Sequence, residues 1–223
     1  CGFIDSAKEE AIDTILSVAA LKAEGQVGKI LVTGCLTQRY QQEILDELPE
    51  VDGIMGTGSY GEIVPALSEM MAGGTPRRFA DIHGMIDEFD RVLTTPGHYA
   101  YLRIAEGCDN RCAYCVIPRA RGPVRSRDEA SVLEELRRLA DAGYKEVVLT
   151  AISLPSYGTD SGTSLVELIE KAAEVPGIER IRLGSLDPDM LTPEFISRLA
   201  AVDKLCPQFH LSLQSGCTAT LRR

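Results

Sequence analysis

Short runs of strand-forming residues alternate along this chain with segments of helical period, and the strand runs end on polar or glycine-rich residues. A run at 29–33 leads directly into Gly34 and Cys35, a helical segment follows over 40–48, a strand over 51–55 and a helix over 62–71. Parallel strands cannot be joined by a tight hairpin and need a crossover, usually a helix. The alternation therefore predicts a parallel α/β domain. Its first helix is expected to start at a capping box of Ser6 and Glu9. The stripe Ile12, Ile15, Leu16 and Ala19 follows, and Gly25 and Gly28 end the unit.

The rhythm breaks at 72–76, and 77–96 reads as a polar linker with a hairpin-like excursion. This divides the chain into a domain at 1–76, a linker at 77–96 and a second domain at 97–223. The second domain repeats the pattern, with strands at 99–105, 145–150, 178–183 and 209–213. Its first helix begins at Asp128, has the apolar face Val132, Leu133, Leu136, Leu139 and Ala140, and closes at Gly143; further helices cover 165–173 and 193–201. Four strands with intervening helices match most of a (β/α) barrel, a fold that sets reactive groups at the C-terminal ends of its strands. The expected fold class is α/β: a parallel N-terminal domain followed by a truncated (β/α) barrel. The chain begins at Cys1 rather than Met and ends at Arg223 just past an apparent strand, so it is expected to be a fragment.

At the end of the strand at 99–105 stand Cys108, Cys112 and Cys115, spaced C-x3-C-x2-C. Three thiolates on one loop suit three irons of a 4Fe–4S cluster and leave the fourth iron open for chemistry. Zinc fits less well, because no second C-x2-C follows and the nearest histidine in sequence, His98, lies ten residues upstream. The seven cysteines are odd in number and unevenly clustered, unlike a secreted disulfide framework, and point to a reducing, cytoplasmic setting. Cys206 and Cys217 read as small buried thiols rather than ligands.

The formal net charge of −10 argues against non-specific binding to nucleic acid. The stretch 119–127 runs against it, with four arginines in nine residues; it is either a solvated turn or a contact for an anionic group. No run is long and apolar enough to span a membrane.

C-x3-C-x2-C with Tyr114 before its last cysteine resembles the radical S-adenosylmethionine enzymes. That resemblance implies that the cofactor's amine and carboxylate chelate the open iron. An electron delivered through the cluster then yields a 5′-deoxyadenosyl radical that abstracts hydrogen from an unactivated C–H bond. The whole chain is similar to the methylthiotransferases of that group. The carrying residues are 1–7 and 33–39, then 106–112, Ile117-Pro118 and Arg121-Gly122-Pro123. The resemblance implies a second 4Fe–4S cluster held by Cys1, Cys35 and a cysteine absent from this chain. It also implies a low-potential electron donor such as flavodoxin or ferredoxin. Pro118 and Gly122 would shape the cysteine loop. Polar residues at strand ends are candidates for binding S-adenosylmethionine: Ser153, Ser185, Asp187, His210 and Gln214. Each is otherwise a cap or turn residue, and His210 alternatively a core histidine.

Two branches of the family compete for the substrate. One adds methylthio to the β-carbon of an aspartate in a small-subunit ribosomal protein, and residues 1–7, 34–40, 48–52 and 105–112 resemble it. The other modifies C2 of threonylcarbamoyladenosine in tRNA, and 149–158, 181–186 and 209–216 look nearer to it. Ile152 and Ser153 stand where the ribosomal branch usually has Gln-Asp. The ribosomal-protein reading leads. The alternative outside this class, a non-catalytic iron–sulfur electron-transfer protein, would need every cluster closed by protein ligands. The resembling enzymes also have a full six-strand barrel and a C-terminal β-barrel domain, neither of which these residues complete.

Overall fold

A computed structural model of the chain describes residues 2–84 and 91–222. The chain folds as two compact units, Cys1–Phe89 with Asp109–Pro123, and Asp90–Cys108 with Val124–Arg223.

The first unit opens on helix α1 (Asp5–Ala23). The predicted capping box does not form: the N-cap is Ile4, with no side-chain cap, and Ser6 lies inside the first turn. Asp5 instead sets a negative charge at the positive end of the helix and pairs with Lys8 one turn on. Of the predicted stripe, Ile15 and Ala19 are buried, whereas Ile12 and Leu16 stay exposed. Strand β1 (Leu31–Thr33) passes through Gly34 into α2 (Cys35–Tyr40). The φ of Gly34 is +121°, which a side chain would resist, and this sharp join seats Cys35 at the strand's end.

The helix predicted over 40–48 forms within shorter bounds, and a further helix, α2, precedes it. Helices α2 and α3 (Gln42–Glu47) meet at Gln41, whose φ of +40° ends the first of them. Neither glycine nor proline marks that break, so the apolar period runs across it unchanged. Strand β2 (Gly53–Met55) pairs in parallel with β1, Leu31 opposite Gly53 and Thr33 opposite Met55. After α4 (Ile63–Met71), β3 (Arg77–Arg78) adds to the far side of β2. Strand pairing thus reaches into the stretch predicted as linker. An edge strand accommodates charge, and Arg78 pairs with Glu62 and Glu69. Residues 85–90 of the expected hairpin-like excursion lie outside the described residues. The core joins Ile15 and Ala19 to Ile30, Leu36, Ile44, Val51 and Ile54.

The segment Asp109–Pro123 also belongs to this unit, across the domain boundary drawn from sequence. Its helix α5 (Ile117–Arg121) packs on α2 and buries Ala120 completely, and Thr57 Oγ1 donates to the Ala120 carbonyl at 3.0 Å. Gly122 adopts φ +77°, and a Cβ there would stand 2.2 Å from the carbonyl oxygen of Ile82.

The second unit holds a parallel sheet of β4 (Tyr99–Arg103), β7 (Glu146–Thr150) and β8 (Arg180–Leu183), in the order β4–β7–β8. Between β4 and β7 lie the short antiparallel pair β5 (Ala105–Glu106) and β6 (Arg125–Ser126), then α6 (Glu129–Asp141). Register aligns Ala100, Val147 and Ile181 in one row and Leu102, Leu149 and Leu183 in the next. All six are buried, against Val132, Leu136 and Leu139 of α6 and Leu168, Ile169 and Ala172 of α7 (Leu165–Ala173). Each fully buried Leu or Ile contributes about 1.5–3 kcal/mol by leaving water. Glu146, at the start of β7, accepts from both Arg180 and Arg182 at 2.8 Å.

Helix α6 is bounded as its sequence predicts. Asp128 accepts the N–H of Ser131 at 3.1 Å, and Gly143 follows the C-cap, its N–H on Ala140 and that of Tyr144 on Leu139. Past β8, β9 (Ser185–Leu186) pairs in parallel with β10 (His210–Leu211), with α8 (Pro193–Ala200) between them and α9 (Thr218–Leu221) last. The predicted strand at 209–213 shortens to these two residues. The result is an α/β fold whose second unit is an open, partial parallel sheet, as a truncated barrel requires.

Candidate metal centre and strand-end residues

Cys108 follows β5, two residues beyond the buried carboxylate of Glu106. Glu106 accepts from the Gly107 N–H and from Arg103 Nη1, both at 3.2 Å. The Arg103 carbonyl takes Arg127 Nη1 at 2.9 Å; Arg127 pairs with Glu135 at 2.6 Å, and Glu135 with Arg91 at 3.0 Å. Two sets of ion pairs, Arg103 with Glu106 and Glu135 with Arg127 and Arg91, joined through the Arg103 carbonyl, therefore anchor the root of the cysteine loop. Arg127 belongs to the arginine-rich stretch read as a solvated turn or an anion contact. It is buried instead, and Tyr157 donates to its carbonyl at 3.3 Å. Burial, reinforced by Glu129, pushes the Tyr157 phenol up to about 12. Sequence reasoning missed these roles for Arg127 and Tyr157, because partners eight or thirty residues apart leave no short motif, whereas Glu106 and Arg103 are only three residues apart.

Cys112 and Cys115 are the ends of one hydrogen-bonded turn, with the Cys115 N–H on the Cys112 carbonyl at 3.0 Å. Cys112 is exposed, and Cys108 and Cys115 are half-buried. Cys35 is half-buried at the start of α2. Cys1 lies outside the described residues, but Gly2 next to it is buried against Cys35. A Cβ on Gly2 would come within 3.1 Å of Leu36 N and 3.2 Å of the Cys35 carbonyl carbon, and Arg39 donates to the Gly2 carbonyl. Cys206 is buried as expected, whereas Cys217 is exposed.

None of these six described thiols, from Cys35 to Cys217, is in a disulfide. Among the described residues no three His, Cys, Asp or Glu side chains are gathered closely enough to hold a metal ion. The donor set itself fits an iron–sulfur cluster: soft thiols on an irregular, accessible loop, three of them in eight residues.

The strand-end candidates divide. Ser185 Oγ and His210 Nδ1 lie 2.8 Å apart, brought together by the pairing of β9 with β10, and both are exposed, so His210 is no core histidine. Ser153 is buried beyond β7 and bonds Ser156 Oγ at 2.8 Å. Asp187 is half-buried and caps a single 3-10 turn without a side-chain bond. Gln214 is exposed, with φ +63°.

The family model described as "Radical SAM superfamily" matches residues 102–223, and that of "Uncharacterized protein family UPF0004" matches residues 1–56. Three bacterial proteins named "Ribosomal protein uS12 methylthiotransferase RimO" are similar over nearly the whole chain. That of Clostridioides difficile is 40% identical over 100% of this chain and 51% of its own length. That of Desulfitobacterium hafniense is 44% identical over 96% and 49%. That of Heliobacterium modesticaldum is 43% identical over 100% and 49%. The chain thus spans about half the length of these relatives. Among solved structures, the radical S-adenosylmethionine methyltransferase TsrM of Kitasatospora setae shares the fold, with a TM-score of 0.59 at 16% identity over 85% of this chain and 42% of that one. No helix among the described residues is long and apolar enough to cross a membrane.

Proposed function

Because this chain belongs to the radical SAM superfamily, we propose that it forms part of an S-adenosylmethionine-dependent methylthiotransferase acting on the β-carbon of an aspartate in a small-subunit ribosomal protein. The observation that carries this reading is the identity to uS12 methylthiotransferases across both units, cysteine loop included. The stretches that resemble tRNA-modifying enzymes, 149–158, 181–186 and 209–216, fall inside the same matches, so a tRNA substrate is not favoured. The net charge of −10 agrees: it suits a basic protein better than a polyanion.

In this reading Cys108, Cys112 and Cys115 hold three irons of one 4Fe–4S cluster and leave the fourth to the cofactor. Cys1 and Cys35 hold a second cluster with a cysteine supplied from outside these 223 residues. The burial of Gly2 against Cys35 supports that pairing. When bound, these groups supply a radical that removes hydrogen from an unactivated carbon, and a methylthio donor. The protein's part is placement. The ion pairs beneath the loop fix its root, and Ser185 with His210 presents polar atoms at a strand end, where the cofactor would lie. No side-chain base is needed at the target carbon, whose pKa lies far outside the range of titratable protein groups. A low-potential donor such as flavodoxin or ferredoxin would reduce the clusters in the cytoplasm.

Mass spectrometry on a gene-deletion strain tests the proposal. Loss of a methylthio group from the ribosomal protein, restored by the full-length gene, is the expected result. An unmodified ribosomal protein in the parent strain, with methylthioadenosine derivatives vanishing on deletion, overturns it.

A further inference from the structure

The first unit carries a groove of about 630 Å³ between α1 and the α2–α3 pair, with Leu36, next to Cys35, in its lining. Its floor is apolar: Ile44 is buried, Tyr40 and Leu48 are half-buried, and Ile12 is left exposed on the face of α1. Its rim is acidic. Glu9, Glu43 and Glu47 are exposed and form no ion pair among the described residues. Lys8 is the one cation in the lining, and Asp5 already neutralises it. Water-exposed apolar side chains framed by unmatched carboxylates suit a segment with an apolar anchor flanked by lysine or arginine.

We infer that this groove docks a basic, apolar-anchored segment of the ribosomal protein substrate. The inference rests on the proposed function for the partner's identity, and on the groove alone for its chemistry. Charge complementarity here speeds encounter and sets orientation, and its effect is screened by salt. An acidic electron donor would be repelled from the same rim.

The test uses the full-length, cluster-loaded enzyme. The variant Glu9→Lys/Glu43→Lys/Glu47→Lys changes three exposed side chains, and circular dichroism verifies its fold. Binding is measured for the ribosomal protein and for a synthetic lysine-rich peptide with one aromatic anchor. The expected loss is about tenfold in affinity for both at low salt, shrinking as salt rises. Cofactor cleavage without substrate is expected to be unchanged. A benzophenone side chain at position 47 should cross-link to the ribosomal protein. Unchanged affinities, or cross-links confined to the enzyme's own polypeptide, overturn the groove assignment. The two readings fail separately. If the variant loses the lysine-rich peptide while the parent enzyme never modifies a ribosomal protein, the groove stands and the substrate assignment falls. If modification proceeds with variant and parent binding alike, the substrate assignment stands and the groove falls.

Discussion

Ser185 and His210 face each other across the β9–β10 pair, Oγ 2.8 Å from Nδ1. The bond orients the imidazole and leaves Nε2 as the nitrogen that can meet a ligand. Strand pairing, not sequence proximity, brings together two residues 25 positions apart.

If that pair binds S-adenosylmethionine, Ser185→Ala and His210→Ala in the full-length enzyme should each weaken cofactor binding by about fivefold, the worth of one neutral hydrogen bond. The double variant should be little worse than either single one, because the two groups act as a unit. Equilibrium binding of the cofactor measures this, and independent, additive losses would separate the residues.

If the cysteine loop holds the cofactor's cluster, replacing Cys108, Cys112 or Cys115 by Ala should abolish formation of 5′-deoxyadenosine in reduced, reconstituted enzyme, since each change would remove a thiolate from an iron. Chromatographic detection of undiminished product in the triple variant would exclude the loop as the cofactor's site.

Cys35→Ala should separate two activities. Iron content is expected to fall from about eight to about four per chain, the size of one four-iron cluster. Cofactor cleavage should persist while methylthio transfer stops. A parent enzyme that takes up only about four irons argues for a single cluster.

Acid stability should depend on Glu146. Hydrogen bonds from Arg182 first and then Arg180 hold its carboxyl below the ordinary value of 4.5, against the opposing effect of burial. A folded-state pKa below the unfolded one contributes stability that is complete above the unfolded value and is lost as pH falls through the folded one. Glu146→Gln should therefore cost about 1 kcal/mol near neutrality, allowing for the solvent around Arg180, and less at an acid pH below its folded-state value. Denaturation midpoints at the two pH values give the comparison.

Two glycines with the same φ of +77° should respond unequally to alanine. Gly25 has nothing within 4 Å of the added Cβ, so Gly25→Ala should cost only the backbone strain, about 1 kcal/mol. A Cβ on Gly122 would stand 2.2 Å from the Ile82 carbonyl oxygen, a backbone atom that cannot swing aside, and Gly122→Ala should cost about 2–4 kcal/mol. Equal shifts in thermal unfolding would deny the close approach.

Much of the scaffold is legible in the sequence because its signals are local. Asp128 and Gly143 bound α6 as their chemistry requires, and the buried rows of β4, β7 and β8 are the apolar runs themselves. The misreadings lie where a tertiary contact outweighs a local one. Gln41 separates an unpredicted α2 from α3 without glycine or proline, Arg77 and Arg78 join a sheet despite their charge, and residues 109–123 return to the first unit through Ala120 and Gly122. Of the candidate site, the cysteine spacing and strand-end positions could be read directly. The charges beneath the loop could not, since Arg127 meets the Arg103 carbonyl, and Glu135 meets Arg91, only in the fold.

Those ion pairs bear on how the protein matures. Glu106, Arg103, Arg127, Glu135 and Arg91 satisfy one another through hydrogen bonds made by the polypeptide itself. A newly made chain can therefore set the root of its cysteine loop during folding, before any iron arrives. If the cysteine loop holds a cluster as proposed, assembly would begin from a loop whose root is already fixed. An apoprotein so prepared is a better recipient for a delivered cluster than one that must fold around it.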